Sequence, residues 1–123
     1  GYYLHIEPEG TFLAGGKWMP EAEELRKIRQ EIDYNGKDLK KILNRKKFKE
    51  TFGGMDPEHS LKTTPKHYTK DHPDIDLLRL TSFICWCPME DSMVTSDDFP
   101  EQAVKKAELL IPFNRFFNVA IRD

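Results

Sequence analysis

Alternating apolar and polar positions predict three β-strands in this chain. The first, over residues 2–7, sets an apolar row against a polar row: Tyr2, Leu4 and Ile6 against Tyr3, His5 and Glu7. This period of two is typical of a half-buried strand. Residues 8–10 form a Pro-Glu-Gly turn sequence, and residues 11–15 supply the second strand of a hairpin. A third strand, expected at the centre of the sheet, is predicted over residues 80–87 and ends at Pro88.

Helical spacing of apolar residues accounts for much of the remaining chain. A helix is predicted over residues 20–34, because Pro20 and the acidic residues after it suit a first turn. Asn35-Gly36 should end this helix with a left-handed cap. A second helix is predicted over residues 37–44, and a short third helix follows it.

The second half of the chain combines a long loop with one more helix. Residues 55–73 hold three prolines and three histidines, and their apolar residues follow neither the strand period of two nor the helical spacing. This predicts a loop. Ser96 and the two aspartates after it should cap a last helix, and Pro112 should kink or break it. Together the elements predict an α+β protein, with helices packed on one face of an antiparallel sheet.

Length and composition restrict the class of protein. A chain of 123 residues suits a single core, so we expect one domain over residues 1–123. Charged residues make up 33%, which implies a thin core, whereas 11% aromatic residues still favour a packed interior over disorder. The net charge of −2 excludes a globally basic nucleic-acid binder. No apolar run approaches the length of a membrane span, and we expect a cytoplasmic protein.

Basic residues are concentrated in residues 37–50, which hold seven cations against two carboxylates. Such a segment could bind nucleic acid or an acidic protein, and the alternative function is therefore a non-catalytic interaction module. No aromatic side chain interleaves the lysines for base stacking, since Phe48 is expected in the core. This argues against nucleic acid as the partner, and a solvated helix face is the simplest interpretation.

Cys85 and Cys87 are two residues apart on the third strand, where a mutual disulfide is geometrically awkward. Reduced thiols are expected, in keeping with a cytosolic protein. Together with the loop histidines they could suggest zinc, but a C-x-C pair on a strand is not a recognised ligand spacing. Two small buried side chains are the preferred interpretation, with no metal and no cofactor.

The polar row of the first strand supplies the candidate catalytic residues. Tyr3, His5 and Glu7 would place a phenol, an imidazole and a carboxylate within reach of one another. His5 could carry a proton, Glu7 could orient it, and Tyr3 could bond a substrate oxygen. A partly exposed strand face with satisfied polar pairs is the alternative, so whether the protein is an enzyme stays open.

Candidate ligand-binding residues lie in the predicted loop and the third strand. Lys62, Tyr68 and His72 carry groups that bind an anion. Ser82 would lie close to the polar row of the first strand if the first and third strands are neighbours. The sequence therefore predicts a pocket for a small anionic ligand, with acid/base hydrolysis as its reaction if His5 is catalytic. No phosphate-binding glycine loop, G-x-S-x-G or H-E-x-x-H motif is present. The oligomeric state is left open.

Two stretches near the start carry a family resemblance: Gly1-Tyr2-Tyr3-Leu4-His5-Ile6-Glu7-Pro8 and Phe12-Leu13-Ala14-Gly15-Gly16-Lys17-Trp18-Met19-Pro20. They resemble a bacterial conserved-hypothetical family, domain of unknown function 2461, and the similarity continues through residues 25–32, 71–73 and 82–83. The family's defining motif, R-x-x-R-D-x-R-F-x-x-D-K-x-P-Y, lies upstream of the G-Y-Y-L-H segment. The resemblance thus implies the C-terminal part of a longer domain, in which charged residues of that motif face Tyr3 and His5.

The chain departs from the family pattern at several cations. Family members tend to read L-K-R-P-P-K-G-Y where this chain has Leu61-Lys62-Thr63-Thr64-Pro65-Lys66-His67-Tyr68, and Thr81 replaces a usual lysine. These losses would weaken an anion site. The resemblance implies a fold and an intracellular bacterial origin, and it implies no reaction.

Overall fold

A computed structural model describes residues 1–122 of the chain. They contain three strands and six helices, joined by loops. The strands are β1 (Tyr2–His5), β2 (Phe12–Lys17) and β3 (Phe83–Pro88). The helices are α1 (Ala22–Leu43), α2 (Lys46–Phe52), α3 (Ile75–Leu78), α4 (Asp91–Val94), α5 (Phe99–Leu109) and α6 (Ile111–Ile121). The α+β class with helices packed on an antiparallel sheet is confirmed.

The central strand of the sheet is β2. The order is β1-β2-β3, with antiparallel pairing on both sides of β2. The prediction that the third strand is central was therefore wrong. Its apolar run has another cause: Cys85 and Cys87 are buried on the helix side, whereas Trp86 is half-exposed on the opposite face. A strand with apolar side chains on both faces need not be flanked by strands on both edges.

Helix α1 runs through the position where the sequence predicted its end. Asn35 has non-helical angles (φ −127°, ψ 30°) and kinks the helix without ending it. The predicted interruption is thus present, as a kink between two helical segments of α1, whereas the prediction of a left-handed cap was wrong, because the φ of Asn35 is negative. Apolar residues keep their spacing on both sides of the kink. Ile28, Ile32, Leu39 and Ile42 are all buried in the same core. Burial of this continuous stripe outweighs the local preference of Asn-Gly for a cap.

Helices α5 and α6 connect the sheet to α1. The two helices are separated at Leu110. Pro112 lies in the first turn of α6, where its missing backbone N–H costs no helical hydrogen bond. Phe113 and Phe117 of α6 pack edge to face and are almost fully buried, next to Phe48 and Phe83. These rings join the helices and the helix side of the sheet in one core.

Residues 55–73 form the predicted loop, with neither helix nor strand apart from an isolated bridge between Ser60 and Leu80. Within residues 1–122, none of the helices combines the length and the apolar character that a bilayer crossing requires. The expectation of one domain that belongs to a longer one stays a prediction.

Candidate functional site

The face of the sheet opposite the helices carries a groove with aromatic walls and a volume of about 620 Å³. Its lining residues are Tyr3, Phe12, Ala14, Trp18, Asp56, Ile84 and Trp86. The strand register explains the depression, because Tyr3, Ala14 and Trp86 are direct neighbours across the three strands. The short side chain of Ala14 lies between two large rings and forms the floor.

His5 and Glu7 lie at one end of this face and contact each other. The His5 Nε2 atom is 2.6 Å from Glu7 Oε2, and the imidazole stacks on Phe12 with ring centres 5.2 Å apart. Thr11 holds the turn, since its Oγ1 accepts the Glu7 N–H at 3.1 Å and donates to the Glu7 carbonyl at 3.0 Å. Tyr3 points to the same face, two residues along β1.

The solvent exposure of the pair limits its chemistry. The side chains of His5 and Glu7 are 51% and 59% exposed. Water therefore screens the charge of either group. The pair is able to bind a polar group and to exchange a proton, but it is not in the dry surroundings that strengthen acid/base catalysis. Their catalytic role stays a prediction.

The opposite end of the groove is built from the loop that follows α2. The Asp56 backbone N–H donates to the Ile84 carbonyl at 2.8 Å, which fixes the loop against the outer edge of β3. The Asp56 Oδ1 atom accepts the Glu58 N–H at 2.9 Å. The Trp18 ring meets the His59 ring edge to face, at 5.0 Å between centres. Asp56 thereby brings a carboxylate to a mainly apolar groove.

Sequence reasoning identified Tyr3 and missed the other three aromatic groove residues, Phe12, Trp18 and Trp86. Alternation on β2 and β3 could have grouped Phe12 with Trp86 on the face opposite the cysteines. The same alternation reaches Trp18, the residue directly after β2, whereas no local signal could have placed Asp56 beside these residues. The position of Asp56 follows from how its loop folds over the edge of β3.

Three of the predicted ligand-binding residues lie in the loop segment that packs on α1. His72 Nε2 donates to Asp33 Oδ1 at 2.7 Å, and His72 Nδ1 accepts the Asp74 N–H at 2.9 Å, which matches a neutral imidazole. The Tyr68 ring stands edge-on to the His72 ring, and burial, followed by the negative charge of Asp33, raises the Tyr68 pKa. Lys62 is exposed. Tyr68 and His72 thus anchor the loop to α1.

Ser82 joins two strand ends. Its buried hydroxyl accepts the Met19 N–H at 2.9 Å, at the point where the chain leaves β2 and β3 begins. Among residues 1–122, the groove lining includes Tyr3 from the predicted site and none of Lys62, Tyr68, His72 and Ser82. The structure therefore groups the β1 candidates and places the other four elsewhere, and a binding role for those four stays a prediction.

The two thiols are free and buried on the helix side of β3. Burial raises the pKa of Cys85 to about 12 and also raises the pKa of Cys87. Thiols held in the protonated form are poor nucleophiles and poor metal ligands. Within the described part of the chain, no group of three or more His, Cys, Asp or Glu side chains is placed to hold a metal ion.

A second cavity lies between α1 and α6, on the other side of the helical layer from the sheet, and has a volume of about 390 Å³. Lys41, Arg45 and Arg115 bring three cations to it, around an apolar floor that includes Phe116. Glu31 and Asp38 add two carboxylates on α1: the full lining is Glu31, Asp38, Lys41, Ile42, Arg45, Pro112, Arg115, Phe116 and Val119. Two cations of the basic residues 37–50, Lys41 and Arg45, thus line a cavity.

Comparison with known proteins identifies a family. Residues 1–116 match the model of a family described as "Conserved hypothetical protein (DUF2461)". No curated protein and no solved structure matches the chain. The match covers both strands of the hairpin, the groove and the whole helical layer except the end of α6.

Proposed function

This chain belongs to the DUF2461 family of conserved hypothetical proteins, a description that names no activity, and we propose that it is a binding protein for a small organic cation. The ligand occupies the groove on the open face of the sheet. The observation that carries the proposal is the lining, in which four aromatic rings and a carboxylate meet without a basic side chain.

The size and the polarity of the groove suit a small molecule. Ligand pockets commonly have volumes of roughly 300–1,000 Å³ and mainly apolar walls with a few polar groups. The groove, at about 620 Å³, lies in this range. Tyr3 and Trp86 stand on either side of Ala14, so that a flat or compact group fits between two rings.

The charges around the groove favour a cation. Aromatic faces attract ammonium groups, by roughly 0.5–2 kcal/mol for each well-placed ring. Asp56 lies in the lining, and Glu7 lies just beyond Phe12 beside His5. An anion in this groove would meet the Asp56 carboxylate and no lysine or arginine of the lining. We therefore place a cation here rather than the anion that the amines of residues 62–72 suggested.

Three probes that share a benzyl group and differ in charge test the proposal. Both tryptophans of the chain, Trp18 and Trp86, line the groove, so intrinsic fluorescence reports directly on its occupancy. We expect benzyltrimethylammonium to bind with a Kd about tenfold below that of benzyl alcohol, a difference of about 1.4 kcal/mol, and below that of benzylphosphonate. Tighter binding of benzylphosphonate would overturn the proposal in favour of the anionic ligand.

Variants locate the binding and its charge preference. Trp86→Leu should abolish the response of the remaining Trp18, whereas Tyr34→Leu, at an exposed ring on α1, should leave it unchanged. Asp56→Asn should reduce the difference in Kd between the cationic and the neutral probe. Asp97→Asn, at an exposed carboxylate outside the groove lining, should leave this difference unchanged. Equal effects of the two aspartate variants would show that long-range charge, and not the groove, attracts the cation.

A second candidate function rests on the cavity between α1 and α6. Lys41, Arg45 and Arg115 line it, and it also presents apolar surface from Phe116 and Val119. Three cations beside apolar surface favour an acidic protein over nucleic acid, because the aromatic ring of the lining, Phe116, is buried and offers no open face for base stacking.

Binding to poly-L-glutamate and to random DNA at two salt concentrations tests this second candidate. We expect salt-sensitive binding of poly-L-glutamate that Arg45→Ala and Arg115→Ala weaken and that Lys105→Ala, at an exposed lysine on α5, leaves intact. Stronger binding of DNA, or equal loss in all three variants, would contradict it.

A further inference from the structure

Two rings of the groove stand nearly perpendicular to each other. The planes of Phe12 and Trp86 differ by 79°, with ring centres 6.3 Å apart. The methyl group of Ala14, which neighbours Trp86 in the ladder, forms the floor beside them. Two parallel rings would hold a flat ligand between their faces, whereas two perpendicular rings form a corner. This corner suits a compact group that contacts rings in more than one direction.

Two histidines outside the lining hold groove rings in place. The His5 imidazole stacks on Phe12 with 5.2 Å between ring centres, and the His59 ring meets Trp18 edge to face at 5.0 Å. His59 is itself tied to the end of β3, since its carbonyl accepts the Thr81 N–H at 2.8 Å. Rings that are fixed before a ligand arrives lose little conformational freedom on binding, which favours affinity.

Hydrogen-bond acceptors are scarce in the groove. Within residues 1–122, Asp56 supplies the single carboxylate of the lining, and its Oδ1 atom already accepts the Glu58 N–H at 2.9 Å. The Tyr3 hydroxyl is the other side-chain acceptor of the lining. The backbone of β2 is paired with strands on both sides. A primary ammonium group carries three N–H donors, and burying a donor without a partner costs free energy.

We propose that the ligand is a quaternary ammonium compound, in which methyl groups replace every N–H of the cation. The inference rests on the proposed function and names the chemical class of its ligand. Such a group needs no acceptor, and its methyl groups carry the positive charge directly onto ring faces. It fits the corner of Phe12 and Trp86, and Asp56 supplies the opposite charge. The ligand is a free molecule, because the phosphate of a phosphocholine lipid would meet the Asp56 carboxylate.

Three soluble ligands that share a hydroxyethyl chain separate the effect of charge from that of methylation. Choline carries a trimethylammonium group, its tert-butyl analogue is neutral and has the same shape, and ethanolamine carries a primary ammonium group. Titrations at constant ionic strength follow the fluorescence of Trp18 and Trp86, which both line the groove. We expect choline to bind with a Kd about tenfold below those of the other two. Phosphocholine should bind more weakly than choline.

The outcomes distinguish this inference from the proposed function. Ethanolamine binding as tightly as choline, with both ahead of the neutral analogue, would overturn the quaternary class and leave a cation-binding groove. Equal binding of choline and the neutral analogue would contradict both, because charge would then contribute nothing. The absence of any response to choline would also overturn the inference. Phosphocholine binding as tightly as choline would overturn the choice of a free cation and favour a lipid headgroup.

Leucine variants test whether ring faces carry the recognition. Phe12→Leu keeps an apolar wall but removes the ring, so it should raise the Kd of choline by about threefold to tenfold and leave that of the neutral analogue unchanged. Tyr3→Leu, at a 43% exposed ring, gives the same comparison if the Phe12 variant fails to fold. Tyr34→Leu, at a 70% exposed ring on α1, is the control and should change neither Kd. Equal weakening of both ligands would show that the rings act by apolar contact alone, and would overturn the inference.

Discussion

At the scale of single residues, Gly16 has a conformation and a setting that leave no room for a side chain. Its φ of +115° lies in the region that only glycine adopts readily, and its N–H donates to the buried Asn114 Oδ1 at 2.7 Å. A Cβ atom there would collide with the Phe83 carbonyl and the Phe113 ring. Gly53 offers a matched comparison, with a φ of +78° and open space around it.

We expect Gly16→Ala to lower the free energy of unfolding by about 3 kcal/mol or more, since strain adds to a backbone collision. Gly53→Ala should cost about 1 kcal/mol, from conformation alone. Urea unfolding measures both. Equal costs for the two variants would show that β2 moves away from β3 without penalty.

The Cys85 thiol predicts how stability changes in alkali. Burial raises its pKa from 9.0 to about 12, so above pH 9 the unfolded chain loses this proton while the folded chain keeps it. The free energy of unfolding is therefore lowered as the pH rises from 9 towards 12, by up to about 1.4 kcal/mol per pH unit for this group. Cys85→Ala should show a shallower decline than the wild type in urea unfolding between pH 9 and 10.5. Parallel declines would contradict the assignment.

At the scale of elements, one polar stripe of α1 holds the chain segment that leads into β3. Arg29 Nε donates to the Leu78 carbonyl at 2.8 Å, Asp33 accepts from His72, and Lys40 pairs with Asp74. Burial lowers the pKa of Arg29, a cost that its carbonyl partners offset. The kinked helix thus uses one face for the core and the next face to position the loop.

Gly36 lies on this stripe, where a Cβ atom would meet the Asp74 carboxylate. Alanine normally stabilises a helix interior by about 1 kcal/mol relative to glycine. Here we expect Gly36→Ala to destabilise the protein by about 1–2 kcal/mol, because Asp74 must move away from Lys40. In an Asp74→Ala background the same change should become stabilising. A double-mutant cycle in urea measures this reversal, and additive effects would count against the contact.

At the scale of the whole molecule, the aromatic core joins the sheet to the helices. Phe113 contacts Phe48 of α2 and Phe117 of α6, and Phe117 contacts Phe83 of β3. Elements from both halves of the sequence therefore share the same apolar contacts. If one of these elements unfolds, the apolar side chains that the others pack against it become exposed to water.

This shared core predicts that the sheet and the helices unfold together. Trp18 and Trp86 fluorescence follows the sheet face, and far-UV circular dichroism follows the helices. The two urea transitions should coincide in the wild type and shift together in Phe113→Leu, which should cost about 1–3 kcal/mol. Separate midpoints for the two signals would contradict a single cooperative unit.

Much of the fold could be predicted from local sequence. Alternation and turn residues placed the hairpin at residues 2–15, and Pro112 marked the break near Leu110. The contact between His5 and Glu7 was also predicted, although the strand is shorter than the predicted 2–7: β1 ends at His5, and Glu7 lies in the turn that Thr11 holds. These features depend on neighbours a few residues away. Asn35-Gly36 shows the limit, since the interruption predicted there is a kink within α1 and not a left-handed cap.

The sequence by itself determined most of the elements, though not α4, together with the two-faced strands and the aromatic content, because period and turn chemistry act locally. Only the tertiary structure decided the central position of β2, the continuity of α1 and the assembly of the groove. Tyr3 and Trp86 are 83 residues apart, and they share one groove because both pair with Ala14. Such a register follows from burial over the whole core, which no short window of sequence contains.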